Sequence, residues 1–314
     1  MKKIDWLFGI LLGIGFTLPG RSMAQEFIPL WPEGSMPNSK GMQLERIEER
    51  ERVTQMDVPG MYSFFTSKDE NAESAVLIFP GGGYHHLTYN SSGIQLAKWL
   101  NTLGVNAFVV MYRLPSSPDL VQPHLGPLQD AQRAIKIVRG KAGKWGIHPE
   151  KIGVMGCSAG GHLAANLCTI GDDYANIGDA FDTLSFRPAF QILISPVISM
   201  MEHVHTGSRA ALLGDQPGEE QILYFSNEFN ASPNSPIAFL VHADNDTGVS
   251  PLNSVRYYLA LKEAGVEASL HIFPHGKHSI ALRNNPGSTN LWTHICEAWL
   301  REYGFLKQTG TLKN

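Results

Sequence analysis

Ser158 stands in Gly156-Cys157-Ser158-Ala159-Gly160, a spacing in which a serine hydroxyl can serve as a nucleophile. An apolar, strand-like run at 152–155 leads into it, and a helix-compatible stretch at 162–170 follows. Strand, G-x-S-x-G and helix in that order describe a sharp turn that holds the serine in a strained backbone conformation. Positions 156 and 160 then tolerate almost no side chain. Oγ stands clear of the backbone, and the start of the helix beneath it favours developing negative charge. The bland alternative is a glycine-rich turn with an idle serine.

A serine hydroxyl is nearly unreactive at neutral pH. It needs a base, a group to orient that base, and donors for an oxyanion. In a parallel sheet these groups are expected in the chain order Ser, Asp or Glu, His, each just beyond the C-terminal end of a strand. The acid is sought in His242-Ala243-Asp244-Asn245-Asp246-Thr247-Gly248-Val249-Ser250-Pro251, after the apolar run 237–242. Asp246 is the candidate because the orienting carboxylate must reach past the strand end. Asp244 reads as a turn-former capping its own loop. The base is sought in Phe273-Pro274-His275-Gly276-Lys277-His278, where His278 is the candidate, His275 its rival, and His271 falls within the strand. The same three histidines could suggest a metal site, but they straddle a strand end and a loop without the i, i+4 helical face of a zincin. Pro80-Gly81-Gly82-Gly83-Tyr84 directly follows the buried-looking run 75–80. Its glycines let backbone N–H groups approach a substrate, with the Ala159 amide as their partner. A flexible surface turn is the alternative reading of that triplet.

The elements that must hold these groups are legible as alternation. Apolar runs bounded by turn residues occur at 75–80, 106–112, 151–155, 190–197, 237–242 and 268–273. Helical periodicities lie between or after them at 92–103, 128–145, 162–170, 254–264 and 290–303. Continuously apolar strands separated by helices predict a mostly parallel sheet covered on both faces, a three-layer α/β/α sandwich. Residues 25–42, rich in Pro, Gly, Ser and Asn, read as an extended lead-in. Residues 43–66 read as early antiparallel edge strands. The long stretches 171–188 and 200–235 read as lid or rim elements.

The chain has 314 residues, 43% of them hydrophobic, enough for a large core. Lys2-Lys3, an apolar stretch at 6–18 and Ser22-Met23-Ala24 predict a secretory signal peptide over 1–24, cleaved after Ala24. The apolar run is short for a bilayer span, a retained anchor being the competing reading. One domain over 25–314 follows, placed outside the cytoplasm, secreted or periplasmic, with no stable membrane insertion after cleavage. The formal charge is −4, and Lys2, Lys3 and Arg21 against Asp5 leave −6 on the remainder. No basic cluster offers a nucleic-acid footprint. A mildly acidic surface suits a soluble enzyme acting on a neutral substrate. The three cysteines lack metal-ligand spacing. Cys157 reads as a free thiol turned into the core, and nothing in the sequence supports the remaining Cys168–Cys296 bridge.

Taken together, these segments resemble the α/β-hydrolase superfamily, and within it secreted bacterial esterases related to acetyl xylan esterases and the hormone-sensitive-lipase-like enzymes. The resemblance runs through Leu30-Trp31-Pro32-Glu33-Gly34, the Pro80–Tyr84 motif, Tyr112-Arg113-Leu114 and Asp130-Ala131-Gln132-Arg133-Ala134. It continues through Gly156-Cys157-Ser158-Ala159-Gly160-Gly161-His162-Leu163-Ala164, the 242–246 motif and Gly276-Lys277-His278. Lipase-like relatives carry histidine where this chain has Pro80, which fits the acetyl-esterase branch. The resemblance implies a Ser158, His278, Asp246 triad and an oxyanion hole from the amides of Gly82, Gly83 and Ala159. It also implies removal of O-acetyl groups from carbohydrates through an acetyl-enzyme, with no metal or organic cofactor. The partner is then a small-molecule or oligosaccharide ester. A general short-chain carboxylesterase, a serine peptidase of the prolyl-oligopeptidase type and a non-catalytic glycan-binding protein are the competing functions.

Overall fold

The computed structural model describes residues 25–278 and 280–307. The signal peptide expected at 1–24 lies outside them. Ten strands are present among the described residues: β1 (Phe27–Pro29), β2 (Ile47–Glu49), β3 (Arg52–Gln55), β4 (Gly60–Phe64), β5 (Ala75–Phe79), β6 (Asn106–Met111), β7 (Ile152–Cys157), β8 (Phe190–Ile194), β9 (Ile237–Ala243) and β10 (Ala268–Phe273). The α-helices are α1 (Gln95–Thr102), α2 (Gly126–Gly140), α3 (Ala142–Trp145), α4 (Ala159–Thr169), α5 (Thr206–Leu213), α6 (Glu219–Tyr224), α7 (Leu252–Glu263) and α8 (Trp292–Glu302).

Eight strands form one sheet in the order β1-β4-β6-β5-β7-β8-β9-β10, and β2 and β3 form a separate hairpin. The six strands from β6 to β10 in that order are mutually parallel. β5 and β8 are buried at every position, as strands sandwiched between helical layers must be. Right-handed crossovers then place the helices. The chain steps from β5 outward to β6 and afterwards back past β5 to β7, so α1 and α2 fall on opposite faces. α8 joins α1, where Trp99 and Trp292 meet edge to face at 5.5 Å. α2 packs on α4 on the other face.

The lead-in is less irregular than its composition suggests, because Phe27–Pro29 pairs antiparallel with β4 and forms the sheet edge. Of the residues expected to supply edge strands, β4 lies inside the sheet, between β1 and β6. The single helix expected at 128–145 is two, broken at Lys141. The expected rim stretch 171–188 packs instead along α2. The reason is charge: Arg133 and Lys136 are buried on α2, and this stretch supplies their partners, Asp179 for Arg133 and Asp173 at 2.6 Å for Lys136. Asp130, also on α2, is buried against Arg113, with Nη2 to Oδ1 at 2.8 Å, and accepts from Trp31 Nε1 at 2.8 Å. Three segments far apart in sequence are thereby joined at one carboxylate.

Strand register decides where chemistry can occur. Phe79 stands opposite Gly156, Cys157 opposite Ile194, Ile194 opposite Val241 and Ala243 opposite Phe273. The C-terminal ends of β5, β7, β8, β9 and β10 therefore share one edge of the sheet. β5 and β7 flank the point where the winding direction reverses, the usual place for a ligand crevice in such a sheet.

Candidate active site

Ser158 follows β7 directly and has φ 54° and ψ −121°, an uncommon conformation for a residue with a side chain. The flanking glycines make it attainable. A Cβ at position 156 would lie 2.1 Å from the Gly160 carbonyl oxygen, and one at 160 would lie 2.0 Å from the Phe79 carbonyl oxygen. The turn is anchored by hydrogen bonds from Ser158 N–H to the Ile194 carbonyl at 3.0 Å and from Val197 N–H to the Ser158 carbonyl at 3.0 Å.

The structure brings three of the residues singled out from sequence into one chain of contacts. His278 Nε2 is 2.8 Å from Ser158 Oγ, and His278 Nδ1 is 2.7 Å from Asp246 Oδ2. Because a carboxylate only accepts, Nδ1 carries a hydrogen and Nε2 is left as an acceptor facing Ser158 Oγ. Asp246 is buried, whereas Asp244 is exposed on the turn. The expectation that Asp244 caps the loop is corrected here, since Asp246 does so itself: Oδ1 accepts from Gly248 N–H at 2.8 Å and Val249 N–H at 2.9 Å. Burial would raise the Asp246 carboxyl pKa, but hydrogen bonds from His242, His278 and Val249 together outweigh it and hold the acid well below the usual carboxylate range. His275 is exposed and away from this chain, and His271 bonds Ser269 Oγ at 2.7 Å within β10.

The glycine loop after β5 is held from three sides. Tyr112 Oη donates to the Pro80 carbonyl at 2.8 Å, Thr88 Oγ1 to the Gly81 carbonyl at 3.1 Å, and Gly81 N–H to Ser92 Oγ at 3.1 Å. Ser92 is placed by a π-helical turn, Asn90–Ile94, that precedes α1, a distortion common at functional sites. Gly82 and Gly83 have φ of 134° and 65°. Among the described residues no acceptor is paired with the Gly82, Gly83 or Ala159 amides, which leaves these three donors for a ligand.

Sequence reasoning did not assign the tie between this loop and the helix that follows Ser158. Tyr84 Oη lies 2.8 Å from His162 Nδ1, and His162 Nε2 donates to the Phe225 carbonyl at 2.7 Å. Nε2 must hold the hydrogen, so Nδ1 accepts from tyrosine. Burial drives the His162 pKa down to about 4, the Phe225 hydrogen bond opposing it. The only sequence signal was position: His162 and Tyr84 each follow a glycine-rich motif.

A cavity of about 690 Å³ opens above Ser158 between the glycine loop, the Ser91–Leu96 region, His278 and residues 280–282. Of the stretch 200–235, only His205 reaches its wall, and 171–188 contributes nothing. Cys157 also lines it and is half-buried rather than turned wholly into the core; burial of the sulfur pushes its thiol up to about 12, so it stays protonated. Cys168 and Cys296 are both free, without a bridge. No group of three or more metal-ligating side chains occurs among the described residues.

Comparison with known proteins bears on this geometry. A family model described as alpha/beta hydrolase fold matches residues 76–282. The chain is 36% identical over 209 residues to an acetylxylan esterase of Xylanibacter ruminicola, covering 65% of this chain and 40% of that protein. It is 31% identical over 228 residues to an endo-1,4-beta-xylanase B of Butyrivibrio fibrisolvens, covering 73% of this chain and 35% of that protein. The chain thus spans between a third and two fifths of the length of these curated relatives. Among solved structures, an acetyl ester-xyloside bifunctional hydrolase from Caldicellulosiruptor lactoaceticus superposes with a TM-score of 0.77 at 36% identity, over 90% of this chain and 97% of that one.

Proposed function

The chain belongs to the alpha/beta hydrolase family, and from that premise we propose that it is a serine esterase removing O-acetyl groups from carbohydrates. The observation that carries the reading is the unbroken contact chain Ser158 Oγ, His278, Asp246 at the C-terminal edge of the sheet. Similarity to an acetylxylan esterase and to an acetyl ester-xyloside hydrolase supports the acetyl and sugar parts of it.

In this mechanism His278 Nε2 takes the Ser158 proton as Oγ attacks the ester carbonyl. Asp246 holds the imidazole with Nδ1–H toward itself and stabilises the imidazolium that forms. The amides of Gly82, Gly83 and Ala159 receive the oxyanion; rigid donors of this kind need no reorganisation as charge develops. The imidazolium then protonates the departing sugar oxygen. Water, deprotonated by the same imidazole, attacks the acetyl-enzyme and releases acetate. Each step uses only groups of this chain and water.

The composition of residues 1–24 supports a secretory leader, and with it a place outside the cytoplasm where acetylated polysaccharide is met. No helix among the described residues is long and apolar enough to cross a membrane. Residues 25–314 then constitute the mature hydrolase domain.

Three substrates test the reading together: acetylated xylooligosaccharides, a p-nitroanilide peptide and a p-nitrophenyl ester series. Acetate release from the oligosaccharide with no cleavage of the anilide is the expected result. Anilide cleavage overturns it in favour of a peptidase. Binding of the glycan with no turnover of any substrate overturns it in favour of a glycan-binding protein.

A further inference from the structure

The cavity above Ser158 has a one-sided charge. Its titratable lining consists of Arg52, His85, His86, His205, His278 and the protonated Cys157 thiol, with no aspartate or glutamate among the lining residues described. Asp246 stands behind His278, fully enclosed and engaged by His242, His278 and the loop amides. On the hairpin, Glu48 is taken up by Arg46 and Tyr89 and Glu51 by Asn90 at 2.6 Å, while Glu49 stands opposite Arg52 in the strand register without forming an ion pair with it among the described residues. This concentration of basic groups sits in a chain whose net charge is −4.

Arg52 is the fixed charge in the set. It opens β3, which is joined to the glycine-loop side of the cavity by paired bonds between Val53 and Leu87 at 3.2 and 2.8 Å. The Arg52 side chain is exposed at the rim, and among the described residues it has no ion pair and no hydrogen bond. The surrounding imidazoles do not neutralise it. The pKa of His86 is lowered by burial, then by the charges of Arg52 and His85, and that of His205 by burial, then by His278 and His85. His205 Nδ1 accepts from Ser208 N–H at 3.1 Å, so its hydrogen sits on Nε2. An unpaired guanidinium beside neutral imidazole donors recognises a planar anion, and its fork matches a carboxylate.

We propose that Arg52 is a specificity-determining residue and that the preferred substrates are acetylated glycans bearing a carboxylate, that is, a uronic acid near the acetylated sugar. The inference rests on the acetylesterase reading above. The acetyl group enters toward Ser158, while the glycan stays at the solvent side, where Arg52 stands. This departs from the neutral substrate that the overall charge of the sequence suggested.

The test compares two acetylated xylooligosaccharides of equal acetylation, one with a uronic acid branch and one without. It uses the wild type and the variants Arg52→Gln, Arg52→Lys and Arg52→Glu. Wild-type kcat/KM is expected to be about two- to fivefold higher on the acidic substrate, mainly through KM, the size suited to one exposed charge-assisted pair. That advantage should shrink with added salt. Gln should bring the ratio near one, Lys should keep part of it, and Glu should invert it. Equal turnover of both glycans by the wild type, or a preference retained in the Gln variant, overturns the inference and leaves the esterase reading standing. Release of acetate from p-nitrophenyl acetate but from neither glycan overturns the carbohydrate reading and this inference with it.

Discussion

His242 and His278 meet on one carboxylate oxygen: their Nε2 and Nδ1 atoms lie 3.2 and 2.7 Å from Asp246 Oδ2. His242 Nε2 is also 3.0 Å from the Val249 carbonyl oxygen, which can only accept, so this nitrogen carries a hydrogen and serves both. The carboxylate therefore has a donor from the scaffold on the very oxygen that orients His278. It is held in place before any substrate arrives, and its ionised form is favoured.

From that relationship Asp246→Asn should damage ester hydrolysis far more than Asp244→Asn. An amide at 246 can present N–H instead of an acceptor to His278 and select the wrong tautomer, a loss of about 10⁴-fold in kcat for a triad of this kind. Asp244 is exposed and, among the described residues, forms no hydrogen bond or ion pair with either histidine, so its variant should stay within a few-fold of wild type. Steady-state kinetics on p-nitrophenyl acetate decide the point, and equal losses in the two variants would remove Asp246 from its assigned role.

Ser158→Ala should abolish turnover, with kcat reduced on the order of 10⁴–10⁶-fold. The fold should survive because only a hydroxyl is removed, and the surrounding turn is held by backbone bonds to Ile194 and Val197. Intact-protein mass spectrometry adds a second readout. The wild type should acquire one acyl adduct from a slowly hydrolysed ester, and the variant none.

Acyl preference should fall from acetyl through butyryl to octanoyl. The wall around Ser158 is made largely of glycines, serines and imidazoles, with Leu96, Ile194, Ile280 and Leu282 as its larger apolar side chains. A deep apolar acyl site would add on the order of 1 kcal/mol of transition-state binding per methylene. A kcat/KM that climbs from acetate to octanoate would replace the acetylesterase reading with a general carboxylesterase.

Acid should weaken the fold through His162. Its folded pKa of about 4 lies below the ordinary 6.5, so between those values the unfolded chain binds the extra proton. Stability from this group is thus fully present above about 6.5, is lost as pH falls toward 4, and changes no further below that. The loss is on the order of 3 kcal/mol. Urea unfolding at pH 7 and at pH 4.5 measures it, and His162→Gln should show a smaller difference between the two. A wild type equally stable at both values would contradict this assignment.

The sequence by itself determined the parallel core and the order in which the candidate Ser158, Asp246 and His278 follow one another along the chain. Six apolar runs read as strands all proved to be parallel neighbours. β10 at the sheet edge is only partly buried and carries Ser269 and His271; the inner ones are apolar because a strand covered on both faces must be, and that pattern is local. The G-x-S-x-G turn was legible for the same reason: Gly156 and Gly160 are demanded by backbone contacts within a few residues or with the adjacent strand. The reach beyond β9 that singled out Asp246 over Asp244 in the sequence agrees with its contact to His278. What depends on contacts between distant segments was not legible. The stretch 171–188 read as a rim, yet only tertiary structure shows the buried Arg133 and Lys136 drawing its aspartates onto α2. Cys157 read as a core thiol, although the strained turn leaves it on the cavity wall. The pairing of Tyr84 with His162, the second donor His242, and the placement of Arg52 beside the glycine loop join residues from different elements. Their proximity is set by strand register and crossover direction, which no local pattern encodes.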